Sequence, residues 1–299
     1  MQIREPFKGV NSIKFNWTFK TDEDCYRYIA SIKWNDDNFS CKKCKNTKYC
    51  RGKKPYSRRC LKCRHDESPT AGTMFDKCKF SLLIAFHIAF KISTKVKGMS
   101  SLELSHEFEL RQKTCWEFKW KIQQAMHSSK QYPLTGEVHV DELFVGGPEE
   151  QKRGRSKGEK KLVVIALEKV EDGVGRAYAQ VIEHASGAEF KPFFNSYIKK
   201  DAKVISDVWK GYLPLKKLYP NLKQVPSKEG KNFSDLHIHI MNLKGWLRGI
   251  HHHCDKERLQ GYLDEFHFRY NRRNNMGTIF DSLIKRMVNY EPIRLKSSS

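Results

Sequence analysis

Two aspartates stand where a charged carboxylate is costly to bury. Asp141 lies inside a predicted strand over 137–145, and Asp207 directly follows another predicted strand over 203–206. Burying such a charge among apolar strand residues is strongly unfavourable unless it is paired or bound to a cation. A single aspartate there is often only a strand-end or turn residue. Two such strands side by side would present both carboxylates to a shared divalent metal, the usual arrangement for phosphate chemistry.

A later predicted helix supplies two more candidates. His237 and Lys244 are seven residues apart, so two helical turns bring them within about 20° of the same face. An imidazole can ligate a metal or move a proton, and a lysine ammonium on that face can contact a phosphate. His239 points elsewhere and is predicted to be structural. Glu142 is not predicted to join Asp141, because neighbouring residues of a strand face opposite ways.

Four of the nine cysteines have a regular spacing. They form two C-x2-C pairs separated by fifteen residues, namely Cys41, Cys44, Cys60 and Cys63. This spacing is typical of a tetrahedral zinc site whose two pairs are joined by a hairpin. Residues 41–65 also hold eleven Lys or Arg and no Asp or Glu, which favours the thiolate form. The alternative is two unrelated pairs of ordinary cysteines in a reducing cytosol.

The elements that must position these residues can be predicted from apolar periodicity and turn residues. Helices are expected over 80–92, 102–108 and 112–126, followed by a strand-rich segment. Five strands and three helices then fit an α/β fold, a mixed sheet covered by helices. The strands are 137–145, 162–167, 176–183, 203–206 and 223–225, and the helices are 189–199, 235–248 and 256–270.

The helices over 102–108 and 112–126 surround a short turn and resemble a helix-turn-helix. The second of them is aromatic and basic, with Lys113, Lys119 and Lys121 along it. This pattern favours contact with DNA. Three packed helices with no DNA role would look much the same.

The charge balance indicates the class of partner. The chain has 299 residues with 56 Lys+Arg and 34 Asp+Glu, so its formal net charge is 56 − 34 = +22. Such an excess suggests nucleic acid or an anionic membrane surface. Membrane-surface binders concentrate charge on one amphipathic helix, whereas here it is spread along the chain, which favours nucleic acid. The longest apolar run, 82–90, is far short of the ~20 residues of a membrane span, and the first residues do not have the pattern of a signal peptide, so we expect neither an integral membrane protein nor a secreted one.

Four stretches of the sequence resemble one known family. They are 140–147 (VDELFVGG), Ser206 with Asp207, 247–252 (LRGIHH) and 259–273 (LQGYLDEFHFRYNRR). These stretches are similar to bacterial insertion-sequence transposases of the DDE type, and more narrowly to the ISXO-type group that has an N-terminal zinc ribbon. The resemblance runs from about Cys41 to Arg273, and the last stretch is its most specific part.

The resemblance implies an RNase H-like core whose metal-binding aspartates are Asp141 and Asp207. The third acidic residue of the family falls at His237, where Glu is usual and some branches carry Asn or His, and the family's extra lysine falls at Lys244. Two Mg²⁺ or Mn²⁺ ions are therefore expected at Asp141, Asp207 and His237, with imidazole suiting Mn²⁺ better. One structural Zn²⁺ is expected at the four cysteines.

The implied function is a DNA transposase that binds the terminal inverted repeats of an insertion sequence and catalyses metal-dependent strand cleavage and strand transfer. Its partners would be double-stranded DNA, at element ends and target, and further copies of itself on that DNA. No membrane is expected, and the location would be the bacterial cytoplasm, at the nucleoid when bound. The alternative is a non-catalytic zinc-ribbon DNA-binding protein with a domesticated transposase core, for which His237 is the main support.

The predicted organisation has five parts. They are an N-terminal segment (1–35), the zinc ribbon (36–75), the helix-turn-helix-like DNA-binding module (79–130), the RNase H-like catalytic domain (135–290) and a disordered tail (291–299).

Overall fold

The structure, a computed structural model, describes residues 5–35, 38–146, 160–171, 173–228, 230–251 and 254–292. Residues 147–159, His252, His253 and most of the predicted tail lie outside the described residues. The chain divides into two units, one of residues 1–126 with 274–299 and one of residues 127–273. In the described residues, no helix has the length and apolar character needed to cross a membrane.

The first unit is helical and carries a small three-stranded sheet. Its aromatic core includes Phe15, which stacks on Phe90 with ring centroids 4.3 Å apart, and Phe280, whose ring lies edge-on to Phe15. The strands pair in the order β1-β2-β3, and β1 and β2 form the hairpin predicted between the two cysteine pairs. The elements are α1 (Ser12–Thr18), α2 (Asp22–Lys33), β1 (Tyr49–Arg51), β2 (Arg58–Cys60), β3 (Asp66–Glu67), α3 (Leu82–Thr94), α4 (Ser101–Phe108) and α5 (Gln112–Met126), with α9 (Ile279–Asn289) near the other end of the chain.

Helix α9 belongs to this first unit, whereas the sequence placed residues up to 290 in the catalytic domain. Its apolar residues recur every three or four positions and are buried in the unit, as is Asp281, which accepts a hydrogen bond from the hydroxyl of Tyr28. An amphipathic helix packs wherever its apolar stripe finds a core. The buried stripe consists of Ile279, Phe280, Leu283, Ile284, Met287 and Val288.

The helices predicted around the short turn are confirmed as α4 and α5. Ser100 caps α4, and its hydroxyl accepts from the backbone N–H of Glu103 while the Glu103 carboxylate accepts from the Ser100 N–H. Glu109 ends α4 in the left-handed region at φ 52°, which turns the chain into α5. One lysine of α5 does not face solvent: Lys119 is buried, and its ammonium donates to the carbonyl of Met99.

The second unit is built on one five-stranded sheet in the order β6-β5-β4-β7-β8. Strands β6, β5 and β4 run antiparallel, while β4, β7 and β8 run parallel. This mixed sheet flanked by helices fits an RNase H-like transposase core. The elements are β4 (Glu137–Val145), β5 (Lys161–Val170), β6 (Gly173–Ile182), α6 (Gly187–Tyr197), β7 (Lys203–Ser206), a 3₁₀ helix (Lys210–Lys217), β8 (Lys223–Gln224), α7 (Ser234–Ile250) and α8 (Lys256–Tyr270).

Helices cover both faces of this sheet. On one face, side chains of α6 and the 3₁₀ helix such as Phe190 and Tyr212 pack on Val140 of β4. On the other, Leu243 of α7 and Leu259 of α8 join the opposite residues of β4 and β5. Successive side chains of a strand point to opposite faces of the sheet. Because both faces are covered, residues of β4 enter the two layers in turn.

Two side-chain amides form hydrogen bonds along the outer edge of β6. Both belong to the stretch 259–273, the most specific part of the family resemblance. The side chain of Gln260 accepts from the N–H of Val181 (3.0 Å) and donates to the carbonyl of Ala179 (3.2 Å). Asn271 makes both hydrogen bonds to the backbone of Ala177, each 2.9 Å long. These contacts satisfy backbone groups that an open sheet edge would leave free to pair with another chain.

Candidate active site and cysteine cluster

The structure brings Asp141 and Asp207 together, as expected if their two strands lie side by side. Strands β4 and β7 are parallel neighbours whose last register pair is Val140 with Ser206, so the two aspartates follow at the same level. Carboxylate oxygens of Asp141, Asp207 and the adjacent Glu142 all lie within 4.8 Å of one another. Oxygen ligands at such spacing suit hard divalent cations such as Mg²⁺ and Mn²⁺.

Glu142 belongs to this cluster, although alternation along a strand predicted that it would face away. The reason is that β7 ends at Ser206, so beyond that level no strand lies beside β4 on the β7 side to separate the two faces of the sheet. Asp141 approaches Asp207 from the α7 side and Glu142 from the layer of Tyr212. No local sequence signal marks this, because it depends on where β7 ends.

The hydroxyl of Tyr212 holds Glu142 in place. It donates to Oε2 of Glu142 over 2.8 Å from a fully buried position. Burial, followed by the negative charges of Glu142, Asp141 and Asp207, raises the pKa of Tyr212 well above its usual range. This shift favours the protonated hydroxyl, the form that donates the hydrogen bond.

The turn after β7 is fixed by hydrogen bonds on both sides of Asp207. Its Oδ1 accepts from the backbone N–H of Trp209 (3.0 Å). The amide of Gln224 on β8 donates to the carbonyls of Asp207 (3.1 Å) and Trp209 (2.8 Å). These contacts orient the carboxylate toward the end of β4 before any ligand binds.

His237 and Lys244 lie on the side of α7 that faces the carboxylates. Nε2 of His237 is 3.5 Å from Oδ2 of Asp141, and 42% of the imidazole remains exposed. The ammonium of Lys244 is half-buried; burial and the nearby Arg248 lower its pKa, while Asp141 opposes that shift. Of the four residues predicted for the active site, Asp141, Asp207 and His237 therefore lie close together, and Lys244 is near enough to Asp141 for their charges to interact. His239 is buried against His267 with 3.2 Å between their Nε2 atoms, as expected for a structural residue.

The four predicted cysteines converge in the first unit. Their sulfurs lie within 4.8 Å of one another, with Cys41 to Cys63 and Cys44 to Cys60 both at 3.5 Å. Four sulfurs at 2.3 Å from a tetrahedral zinc are about 3.8 Å apart, so the cluster fits one Zn²⁺. Hydrogen bonds, first from the backbone N–H of Cys63, lower the pKa of Cys60 to about 6, which favours the thiolate that a metal needs.

Residues 133–271 match the family model of the ISXO2-like transposase domain. This range contains all four predicted active-site residues, and the cysteine cluster and helices α3 to α5 lie outside it. A chain from the crystal structure of a pre-cleavage Mos1 transpososome is similar at 11% sequence identity, covering 66% of this chain and 76% of that one, with a TM-score of 0.26. No curated protein matches the sequence. The chain therefore carries an ISXO2-like transposase domain in residues 133–271, the type of domain that its sequence resembles.

Proposed function

We propose that this protein is a DDE-type transposase that cleaves DNA at the ends of an insertion sequence and joins those ends to a target. The observation that carries the proposal is the cluster of Asp141, Glu142 and Asp207, with His237 3.5 Å from Asp141, inside a transposase domain. An enzyme of this type needs a metal-binding group of carboxylates and a cation for the phosphate. Both are present at the end of β4.

The carboxylates of Asp141 and Asp207, with His237 beside them, would hold two divalent ions, and Glu142 adds an oxygen ligand that the sequence did not assign. Such ions supply charge stabilisation and a more acidic attacking water or DNA 3′-OH when bound. Tyr212 and the Trp209 N–H orient the carboxylates for that task. Lys244 contacts the reacting phosphate or its neighbour. The nitrogen ligand of His237 favours Mn²⁺ over Mg²⁺.

Recognition of DNA is assigned to the first unit. The cysteine cluster holds one Zn²⁺ and so fixes the basic ribbon, and the ribbon with helices α4 and α5 binds the terminal inverted repeats. Element ends and target are both double-stranded DNA, and further copies of the chain assemble on the paired ends. Because the proposed substrate is chromosomal DNA, the proposed location is the bacterial cytoplasm, at the nucleoid when the protein is bound to DNA.

A second candidate is favoured by one residue. His237 stands where the family usually has a carboxylate, so the core could be a scaffold for a DNA-binding protein that cuts nothing. The two candidates differ in whether the carboxylate cluster reacts with DNA, since both bind it.

A strand-transfer and nicking assay separates them. The full chain is incubated with a duplex that carries the element's end sequence, with Mn²⁺, with Mg²⁺ or with EDTA, and Asp207→Asn is run in parallel. Metal-dependent nicking by the wild type that Asp207→Asn lacks supports the transposase. Tight end binding without nicking in either metal supports the DNA-binding protein instead.

A further inference from the structure

Two cations, Lys244 and Arg248, follow His237 along α7. His237, Lys244 and Arg248 follow one another at intervals of seven and four residues, which keeps all three within about 40° on the helix surface. At 1.5 Å per residue, Arg248 lies about 6 Å beyond Lys244 along the axis. Because His237 contacts Asp141, this row of side chains begins at the carboxylates and leads away from them.

A third cation reaches the same place from the sheet. Lys160 lies where β5 begins opposite the end of β4, since Val145 pairs with Lys161. Gly146 packs directly against it: a Cβ built on Gly146 would be 3.1 Å from Cγ and 3.4 Å from Cα of Lys160. The charge of Lys160 acts on Lys244, as does that of Arg248. Two other positive charges and the carboxylate of Asp141 are therefore near enough to Lys244 to act on it.

These cations differ from the others around them. Elsewhere in the second unit, several basic side chains of the described residues are held by carboxylates, among them the pairs Lys169–Asp235, Arg176–Glu168, Lys203–Glu137, Lys256–Glu183 and Arg269–Glu265. In the described part of the chain, none of Lys160, Lys244 and Arg248 is in ion-pair contact with a carboxylate. Like charges that are not neutralised by ion pairs disfavour the folded state and favour binding of a polyanion.

We propose that Lys160 and Arg248 form, with Lys244, a phosphate-binding track that holds the DNA strand on both sides of the reacting phosphate. The inference rests on the proposed function and adds two DNA-contacting residues to it. A ligand with successive phosphates suits this arrangement, because Lys160 and Arg248 act on Lys244 from different elements. A DNA strand leaving the carboxylates along α7 has that chemistry.

The test compares charge-neutralising variants of the full chain, Arg248→Gln and Lys160→Gln, with Lys217→Gln. Lys217 is an exposed lysine of the 3₁₀ helix on the opposite face of the same sheet. Binding of a mixed-sequence DNA duplex is measured over a series of salt concentrations. Each lost phosphate contact should reduce the log–log salt slope by about 0.9. We expect this for Arg248→Gln and Lys160→Gln and expect no change for Lys217→Gln.

A second measurement distinguishes the track from the metal site. Mn²⁺ binding, followed by paramagnetic broadening of water protons, should not weaken in either variant, since removing a cation cannot weaken binding of another cation through charge. Two results would overturn the track and leave the transposase proposal intact. One is a salt slope of DNA binding in Arg248→Gln and Lys160→Gln equal to that of Lys217→Gln. The other is Mn²⁺ binding that is weakened as much as DNA binding. A wild-type chain whose DNA binding ignores salt would overturn both.

Discussion

Gly230 lies so close to His237 that a methyl group on its Cα would be 2.4 Å from Nδ1 of the imidazole. Gly230 also has φ +87°, a backbone conformation that side chains rarely adopt. Its missing side chain therefore makes room for the ring that contacts Asp141 on the opposite side. Gly230 is a positioning residue for His237.

Gly230→Ala should displace the imidazole and lower cleavage, because the added methyl occupies the space of the ring. Gly136→Ala is the matched control: Gly136 has φ +62°, and its added Cβ would have no neighbour within 4 Å among the described residues. Both variants incur backbone strain of about 1–2 kcal/mol, but only Gly230→Ala should reduce cleavage. In a His237→Ala background Gly230→Ala should have little further effect, and a full additional loss there would show that Gly230 acts by another route.

Replacing His237 tests its role directly. If the imidazole is a ligand or moves a proton, His237→Ala lowers cleavage by about 100-fold or more. His237→Glu restores a carboxylate, so it should keep activity and shift the preference from Mn²⁺ toward Mg²⁺. The measurement is the cleavage rate in each metal. A His237→Ala enzyme as active as the wild type in both metals would remove His237 from the site.

Neutralising either aspartate should separate binding from chemistry. Asp141→Asn and Asp207→Asn should each lower cleavage at least about 100-fold and leave binding of end DNA within a few-fold. Without metal, thermal stability should hold or rise, since three carboxylates within 4.8 Å repel one another. Asp201→Asn, which changes an exposed carboxylate before β7, is the control. If Asp201→Asn lost as much cleavage, the loss would be caused by the change in net charge and not by damage to the carboxylate cluster.

Zinc should be present at one ion per chain and should depend on the cluster. Cys60→Ser should lose the metal and make residues 38–70 more susceptible to proteolysis, because zinc binding contributes to folding of such a ribbon. Cys50 is exposed in the same hairpin and outside the cluster, so Cys50→Ser should keep the metal. Elemental analysis after purification without added zinc provides the measurement. Full zinc in Cys60→Ser would contradict the four-sulfur site.

The parts of the site that depend on local spacing could be predicted from the sequence. The bounds of β4 and β7 agree with the predicted strands, so Asp141 and Asp207 could be placed side by side. The cysteine pairs and the shared face of His237 and Lys244 likewise follow from fixed spacings within a turn or a helix.

What could not be predicted depends on where distant elements end or pack. Glu142 joins the cluster because β7 stops at Ser206, which is visible only once both strands are in register. The amphipathic pattern of α9 would be the same in either unit. Its packing in the first unit depends on the aromatic core there, which the pattern does not show. Lys119 looks like a DNA-facing cation on α5 until its contact with Met99 is known. In each case tertiary context overrides a correct local pattern.

The buried pair His239 and His267 predicts an acid-sensitive second unit. Nδ1 of His267 lies 2.7 Å from the carbonyl of Leu263, which fixes its proton there and leaves Nε2 to accept from His239. Burial, with the neighbouring His267 ring and the charge of Arg273, lowers the pKa of His239 to about 2, and burial lowers that of His267 to about 4. Both rings thus stay neutral in the folded protein at pH values where the unfolded chain, with an ordinary pKa near 6.5, already binds protons.

Stability should therefore be fully present above about pH 6.5 and should fall as the pH drops toward 4, by up to about 1.4 kcal/mol per pH unit for each histidine. His239→Phe keeps an aromatic ring against Tyr270 and removes one of the two groups, so it should lose less stability between pH 7 and pH 5 than the wild type does, although it is less stable at pH 7. His184→Gln, which changes an exposed histidine of the same unit, should retain the wild-type loss. The measurement is the urea unfolding midpoint of the three proteins at both pH values. If His239→Phe lost as much stability between pH 7 and pH 5 as the wild type, the acid sensitivity would come from other groups.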